Sequence, residues 1–136
     1  MNQTVVLDTN ALIRLFKGES EEVKRAVMGA SRIVIPLAVF GEFKAGVEGD
    51  VKRRSLEAAL LQDFLSVPNT SVHRPSERTA EYYAKIFACL KKAGTPIPTN
   101  DIWIAAETME IGGRLCSCDR HFANVPMLNW TFCDDV

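Results

Sequence analysis

The sequence has little of what marks a membrane, secreted or disordered chain. Its apolar runs, such as Ile33 to Phe40 with Pro36 inside it, fall far short of the ~18 residues that span a bilayer. The opening residues Met1-Asn2-Gln3-Thr4 carry no basic segment ahead of the apolar stretch that ends at Asp8, so no secretory leader is expected. No repeat or low-complexity stretch occurs. An excess of charge is also missing: 17 acids stand against 16 bases, a formal charge of -1, which excludes a uniformly basic coat for gripping nucleic acid by counterion release. Histidine is scarce, with 2 in the chain, and the 4 cysteines, Cys89, Cys116, Cys118 and Cys133, are too few and too irregularly spaced for a zinc site of paired C-x-x-C type. They read as free buried thiols of a cytoplasmic protein.

What is present is an ordinary globular composition, 47% hydrophobic and 24% charged in 136 residues, which sets the expectation of a single domain over residues 1–136. Short β-branched runs alternate with helical patterns. Thr4 to Leu7, Ile33 to Ile35, Ser71 to His73 and Arg114 to Ser117 read as strands, and Met127 to Trp130 as a fifth. Helices are expected to about Lys17, then over Glu21 to Met28, Leu37 to Val47, Asp50 to Leu65, Ser76 to Lys92 and Asp101 to Ile111, the last closed by Gly112-Gly113. Parallel strands need helical crossovers, so this alternation predicts an α/β protein with a parallel sheet covered on both faces. Ligands in such sheets bind beyond the carboxyl ends of the strands.

Four acids fall at or near that edge: Asp8 after the first strand, Glu42 in the helix after the second, Asp101 at a helix start and Asp119 after the fourth strand. Asp8 and Asp101 also suit a helix N-terminus, Asp119 suits a turn, and Glu42 suits a solvated helix face. Glu42 and Asp101, however, have apolar or small neighbours one turn away, Ala38, Val39, Ala45 and Gly46 for the first, Ile104 and Ala105 for the second. Carboxylates ~4 Å apart repel by about 4 kcal/mol at an effective dielectric near 20, so a cluster must be partly protonated or hold a cation. Without clustered histidine or thiol the cation is expected to be hard, Mg²⁺ or Mn²⁺, a Lewis acid suited to phosphodiester hydrolysis.

Val6-Leu7-Asp8-Thr9-Asn10, Gly41-Glu42-Phe43, Asn100-Asp101-Ile102-Trp103-Ile104-Ala105-Ala106 and Cys118-Asp119-Arg120-His121-Phe122 resemble the four motifs of PIN-domain ribonucleases, in family order and over nearly the whole chain. In length and in the third and fourth motifs the sequence is most similar to VapC-type toxins of toxin-antitoxin pairs. The resemblance implies a three-layer α/β/α sandwich around a mostly parallel sheet, and Mg²⁺- or Mn²⁺-dependent endoribonuclease activity on tRNA, rRNA or mRNA. It also implies a homodimer and an antitoxin whose C-terminal segment covers the active site. By matching position it implies that Asp8, Glu42, Asp101 and Asp119 are the metal-binding and catalytic set, with Asp8 and Asp101 as direct ligands and Glu42 and Asp119 acting through water. Thr9, Asn10, Thr99 and Ser117 would be polar helpers. Ser117-Cys118-Asp119 departs from the Thr-x-Asp of many relatives, keeping the hydroxyl in shorter form.

Phosphate contacts are expected from Arg120, which follows Asp119, and from Arg14 and Lys17 beyond Asp8, with Lys44, Arg53 and Arg54 as further candidates. His121 is expected to anchor a turn, and Trp103 and Phe40 to pack in the core. A haloacid-dehalogenase-like phosphatase would need D-x-D at the first strand end, where Asn10 stands. A receiver domain would need paired acids there and a late lysine. A catalytically silent PIN-fold binding module, or a PIN nuclease of RNA processing that is not a toxin, would share the fold.

Overall fold

The computed structural model describes residues 3–133, which leaves Met1 and Asn2, part of the leader reading above, outside the described residues. Five strands form one sheet: β1 (Thr4–Leu7), β2 (Arg32–Ile35), β3 (Thr70–Val72), β4 (Arg114–Ser117) and β5 (Trp130–Phe132). Their order is β3-β2-β1-β4-β5, and all four pairings are parallel, so the expected three-layer α/β architecture is present with no antiparallel strand among these five. Six helices supply the crossovers: α1 (Thr9–Lys17), α2 (Glu21–Gly29), α3 (Leu37–Gly49), α4 (Ser55–Leu65), α5 (Glu77–Ala93) and α6 (Thr99–Ile111). The chain steps outward from β1 to β3 and then returns to place β4 on the other side of β1. Right-handed crossovers of opposite travel put α1–α4 and α5–α6 on opposite faces. Helices α1 to α4 pack among themselves, and α5 packs on α6.

The reversal of strand order falls between β1 and β4, and the crevice beyond their carboxyl ends is where such sheets hold ligands. Val5, Val6 and Leu7 of β1 and Leu115 and Cys116 of β4 are almost wholly buried, as strands covered on both faces must be. Two glycines make the entry to β4 possible. Gly112 takes a left-handed φ of 73° that ends α6, and a Cβ on Gly113 would lie 2.8 Å from Val6 and 3.1 Å from the Thr4 carbonyl oxygen. On the other face Phe16 meets Phe43 and Phe64 edge-on at 5.8 and 5.7 Å, tying α1, α3 and α4 together. Phe43 is fully buried, which anchors α3 beside Glu42.

Three local expectations are corrected. Helix α4 starts at Ser55, because the Asp50 carboxylate accepts the Arg53 N–H at 3.2 Å and holds residues 50–54 in a turn, a local alternative to helix that aspartate favours. Strand β5 starts at Trp130 and not at Met127, whose left-handed φ of 67° is incompatible with a strand. Cys89 is exposed; Cys116 and Cys133 are buried, Cys118 is half-buried, and all four are free. Smaller shifts make β3 Thr70–Val72 and extend α6 back to Thr99, since Pro98 and not Asn100 precedes its first turn. No helix among the described residues is long and apolar enough to cross a membrane.

Candidate active site

Asp8 is the residue at which β1 becomes α1. Its Oδ1 accepts the Ala11 N–H at 2.8 Å, capping the helix, and its Oδ2 accepts the Ser117 hydroxyl from the end of β4. Ser117 in turn accepts the Asp119 N–H at 2.9 Å, so one hydroxyl spans two of the acids. Only 4% of Asp8 is exposed. Burial pushes its carboxyl up to about 6; the bonds from Ser117 and Ala11 oppose the rise, and the charges of Asp101 and Asp119 add to it.

Asp101 occupies the first turn of α6, where the helix dipole favours an anion. Burial and then the neighbouring Asp119 nevertheless hold its carboxyl above the ordinary value, with His121 working against them and Glu42 with them. Asp119 caps the 3-10 helix Arg120–Asn124 by accepting the His121 N–H at 2.9 Å. Glu42, midway along α3, accepts the Asn100 side-chain amide at 3.0 Å. The structure therefore brings all four sequence-predicted acids to the carboxyl edge of β1 and β4.

His121 does anchor the turn through its backbone, but its imidazole also belongs to the cluster, which corrects the expectation of a site without histidine. Its Nδ1 lies 3.0 Å from Asp119 Oδ1 and 3.5 Å from Asp101 Oδ2. Asp101, Asp119 and His121 each offer a ligand atom within 4.8 Å of the others. The 3-10 turn causes this, because it folds residue 121 back over residue 119. The D-x-H spacing was the available signal. Asn100 was also missed as a partner of Glu42, although it directly precedes Asp101.

The helpers divide. Thr9 has a buried Oγ1 with no protein partner, next to Asp8, and Ser117 bridges as described. Asn10 and Thr99 are exposed, and Thr99 lines an apolar pocket with Phe87, Ile97 and Ile102. Arg120 stacks its guanidinium on the Phe132 ring at 4.0 Å, at the edge of the site. Arg14 lies in the last turn of α1. Lys17 and Arg53 line an open pocket with Asp50, Arg54 and Glu57, where Arg54 pairs with Glu57 at 2.5 Å, and Lys44 sits 5.7 Å over Phe40. Trp103 is half-buried and stacks on Tyr83 at 4.2 Å outside the buried core, which corrects the expectation that it packs there.

The donor set is mostly hard oxygen, two of its acids are held above their ordinary values, and Thr9, which follows Asp8 in the chain, keeps a buried hydroxyl without a protein partner. These residues fit a hard divalent cation.

The sequence matches the PIN domain family over residues 5–128. The chain belongs to the PIN domain family. Among PIN proteins it is 27% identical to Ribonuclease VapC1 of Haemophilus influenzae strain R2866 over 129 residues, 92% of this chain and 94% of that one. The structure of VapBC-1 from nontypeable Haemophilus influenzae has a TM-score of 0.77 at 27% identity and covers 95% of this chain and 97% of that one. The PIN fold is shared more closely in shape with VapBC2 from Rickettsia felis bound to a DNA fragment from their promoter, at a TM-score of 0.82, 20% identity, and 97% and 100% coverage.

Proposed function

We propose that this PIN protein is a metal-dependent endoribonuclease, the toxin of a VapBC-type pair, acting as one domain in the cytoplasm. The observation that carries the reading is the gathering of Asp8, Glu42, Asp101 and Asp119 at one sheet edge, with Asp8 and Asp101 held ready to gain a positive neighbour. The similarity to Ribonuclease VapC1 supports the ribonuclease activity, and the similarity to the VapBC structures supports an antitoxin partner. A C-terminal antitoxin segment over the site, a homodimer and a tRNA, rRNA or mRNA substrate belong to the same proposal.

In this reading Asp8 and Asp101 hold Mg²⁺ or Mn²⁺ directly, and Glu42 and Asp119 act through water. When bound, such a cation supplies charge neutralisation and Lewis acidity at the scissile phosphate. The protein's own groups do the rest. Ser117 fixes Asp8, and Asn100 turns Glu42 toward the edge, where its free oxygen can take a proton from attacking water. Thr9 offers its unpartnered hydroxyl to a water beside Asp8. Arg120, in the turn that follows Asp119, would meet a phosphate of the RNA.

Purified protein is expected to cleave RNA with Mg²⁺ or Mn²⁺ and to stop in excess EDTA. Asp8→Asn and Asp101→Asn are each expected to lower the rate by more than about 100-fold, the loss that even outer-shell partners of a metal reach, with the circular dichroism spectrum unchanged. Full activity in EDTA, or in the Asp8→Asn protein, would remove the assignment.

A further inference from the structure

Helix α3 carries Glu42 but cannot cap itself. Pro36 stands at its N-cap and offers no side-chain acceptor, so the first N–H groups of the helix need a partner from elsewhere. The partner comes from 70 residues away: Glu107 Oε1 accepts the Leu37 N–H at 2.8 Å, and Oε2 accepts the Ala38 N–H at 3.2 Å. Glu107 is 1% exposed and lies on α6, the helix that also carries Asn100 and Asp101.

The two helices are thereby gripped at two points. Asn100 holds Glu42, and about two turns further along α6 Glu107 holds the start of α3, so the helices run antiparallel with their register set by one bond at Glu42 and two at Glu107. The oxygen that accepts the Leu37 N–H is itself braced. His73, just after β3, places Nδ1 2.8 Å from Glu107 Oε1 and Nε2 3.0 Å from Glu110 Oε1. A carboxylate with this many fixed partners cannot move without carrying α3 with it.

We propose that Glu107 is a positioning residue of the acidic site: by capping α3 from α6 it sets where Glu42 stands relative to Asp101. The assignment rests on the nuclease reading above. Glu107 touches neither substrate nor metal, and it acts only through Glu42.

The test is a cycle of Glu107→Gln and Glu42→Gln, read as Mn²⁺ affinity by electron paramagnetic resonance and as single-turnover RNA cleavage. Glutamine keeps the volume but turns an amide NH₂ toward a backbone N–H, which loosens the cap. Glu107→Gln is expected to stay folded at the assay temperature, to lose about tenfold in Mn²⁺ affinity or cleavage rate, and to keep its KM for RNA. In the Glu42→Gln background the same change is expected to add nothing, because the two act through one group.

Should Glu107→Gln fail to fold, Leu37→Pro removes a single N–H of the cap. Proline is tolerated at the first helical position, Leu37 is half-exposed, and Pro36 already has the extended ψ of 146° that a following proline demands. The same non-additivity is expected of it. Wild-type affinity and rate in a folded variant, or a full further loss on top of Glu42→Gln, would overturn the inference. Asp8→Asn run alongside separates the two levels. If it cleaves like the wild type, the nuclease reading fails and Glu107's role with it; if it is inactive while Glu107→Gln is intact, only the role of Glu107 fails.

Discussion

Asp101 and Glu107 lie under two turns apart on α6, yet their surroundings are opposite in kind. Toward the end of the helix Glu107 meets two backbone N–H groups and a histidine nitrogen, and Glu110 meets the Ser76 and Thr79 hydroxyls and the other nitrogen of that ring. Burial pushes Glu110 up, but these bonds outweigh it and hold its carboxyl below the ordinary value. At the start of the helix Asp101 faces Asp119 and Glu42, with the His121 ring working against them, and its carboxyl is held above the ordinary value. Neither residue type nor burial separates the two sets, since Asp8 is almost as buried as Glu107. The supply of donors does. A carboxylate saturated from within holds structure together, whereas acids that repel one another leave a place for a ligand.

The largest effect that sharpens this contrast is on stability. Glu107→Ala removes the buried acceptor of two part-buried N–H groups and strands His73, so it is expected to cost about 3 kcal/mol or more in urea unfolding. A loss under about 1 kcal/mol would break the comparison.

Asp8→Asn is expected to act with the opposite sign. Asp8 moves from an ordinary 3.8 in the unfolded chain to about 6 in the fold, a difference that corresponds to about 3 kcal/mol by linkage. The raised value means that the protonated form favours the fold. That contribution is complete below pH 3.8 and is lost as pH rises through about 6. In chelator at pH 7.5 Asp8→Asn is therefore expected to be more stable than the wild type by up to about 3 kcal/mol, near equal below pH 4, with asparagine still able to cap α1. Mn²⁺ should raise the melting temperature of the wild type and close the gap. A destabilised variant at pH 7.5 would put Asp8 with the saturated set.

The smallest effect is at Glu110. Glu110→Gln is expected to cost about 1 kcal/mol at pH 7. Because the folded value is lowered, the wild-type advantage is present above the ordinary 4.5 and fades as pH falls through the folded value.

Much of the fold could be read along the chain because its signals are local. A short strand-like run stopped by aspartate announces both Asp8 and Asp119, and Gly112-Gly113 announces the turn into β4. What was not legible depends on partners distant in sequence. Glu107 sits in Ile104-Ala105-Ala106-Glu107 and reads as one polar position on a helix, since its partners Leu37 and Ala38 share no local pattern with it. The helix read from Asp50 begins at Ser55, because the Asp50 carboxylate bonds the Arg53 N–H and holds the first five residues in a turn. His121 was seen as an anchor but not as a neighbour of Asp101, because only the 3-10 turn brings the two together.

The order β3-β2-β1-β4-β5 has a consequence for when the protein can become active. β1 is made well before its neighbour on the site side, β4, which follows more than a hundred residues later. Ser117, which fixes Asp8, and Asp119, which completes the cluster, are made only after β1, β2 and β3. Assembly thus waits on a long-range pairing, a slow kind of contact for a folding chain. A nascent chain holding only the first three strands has Asp8 and Glu42 but no assembled cluster, so the four acids cannot come together before β4 and the turn after it have been made.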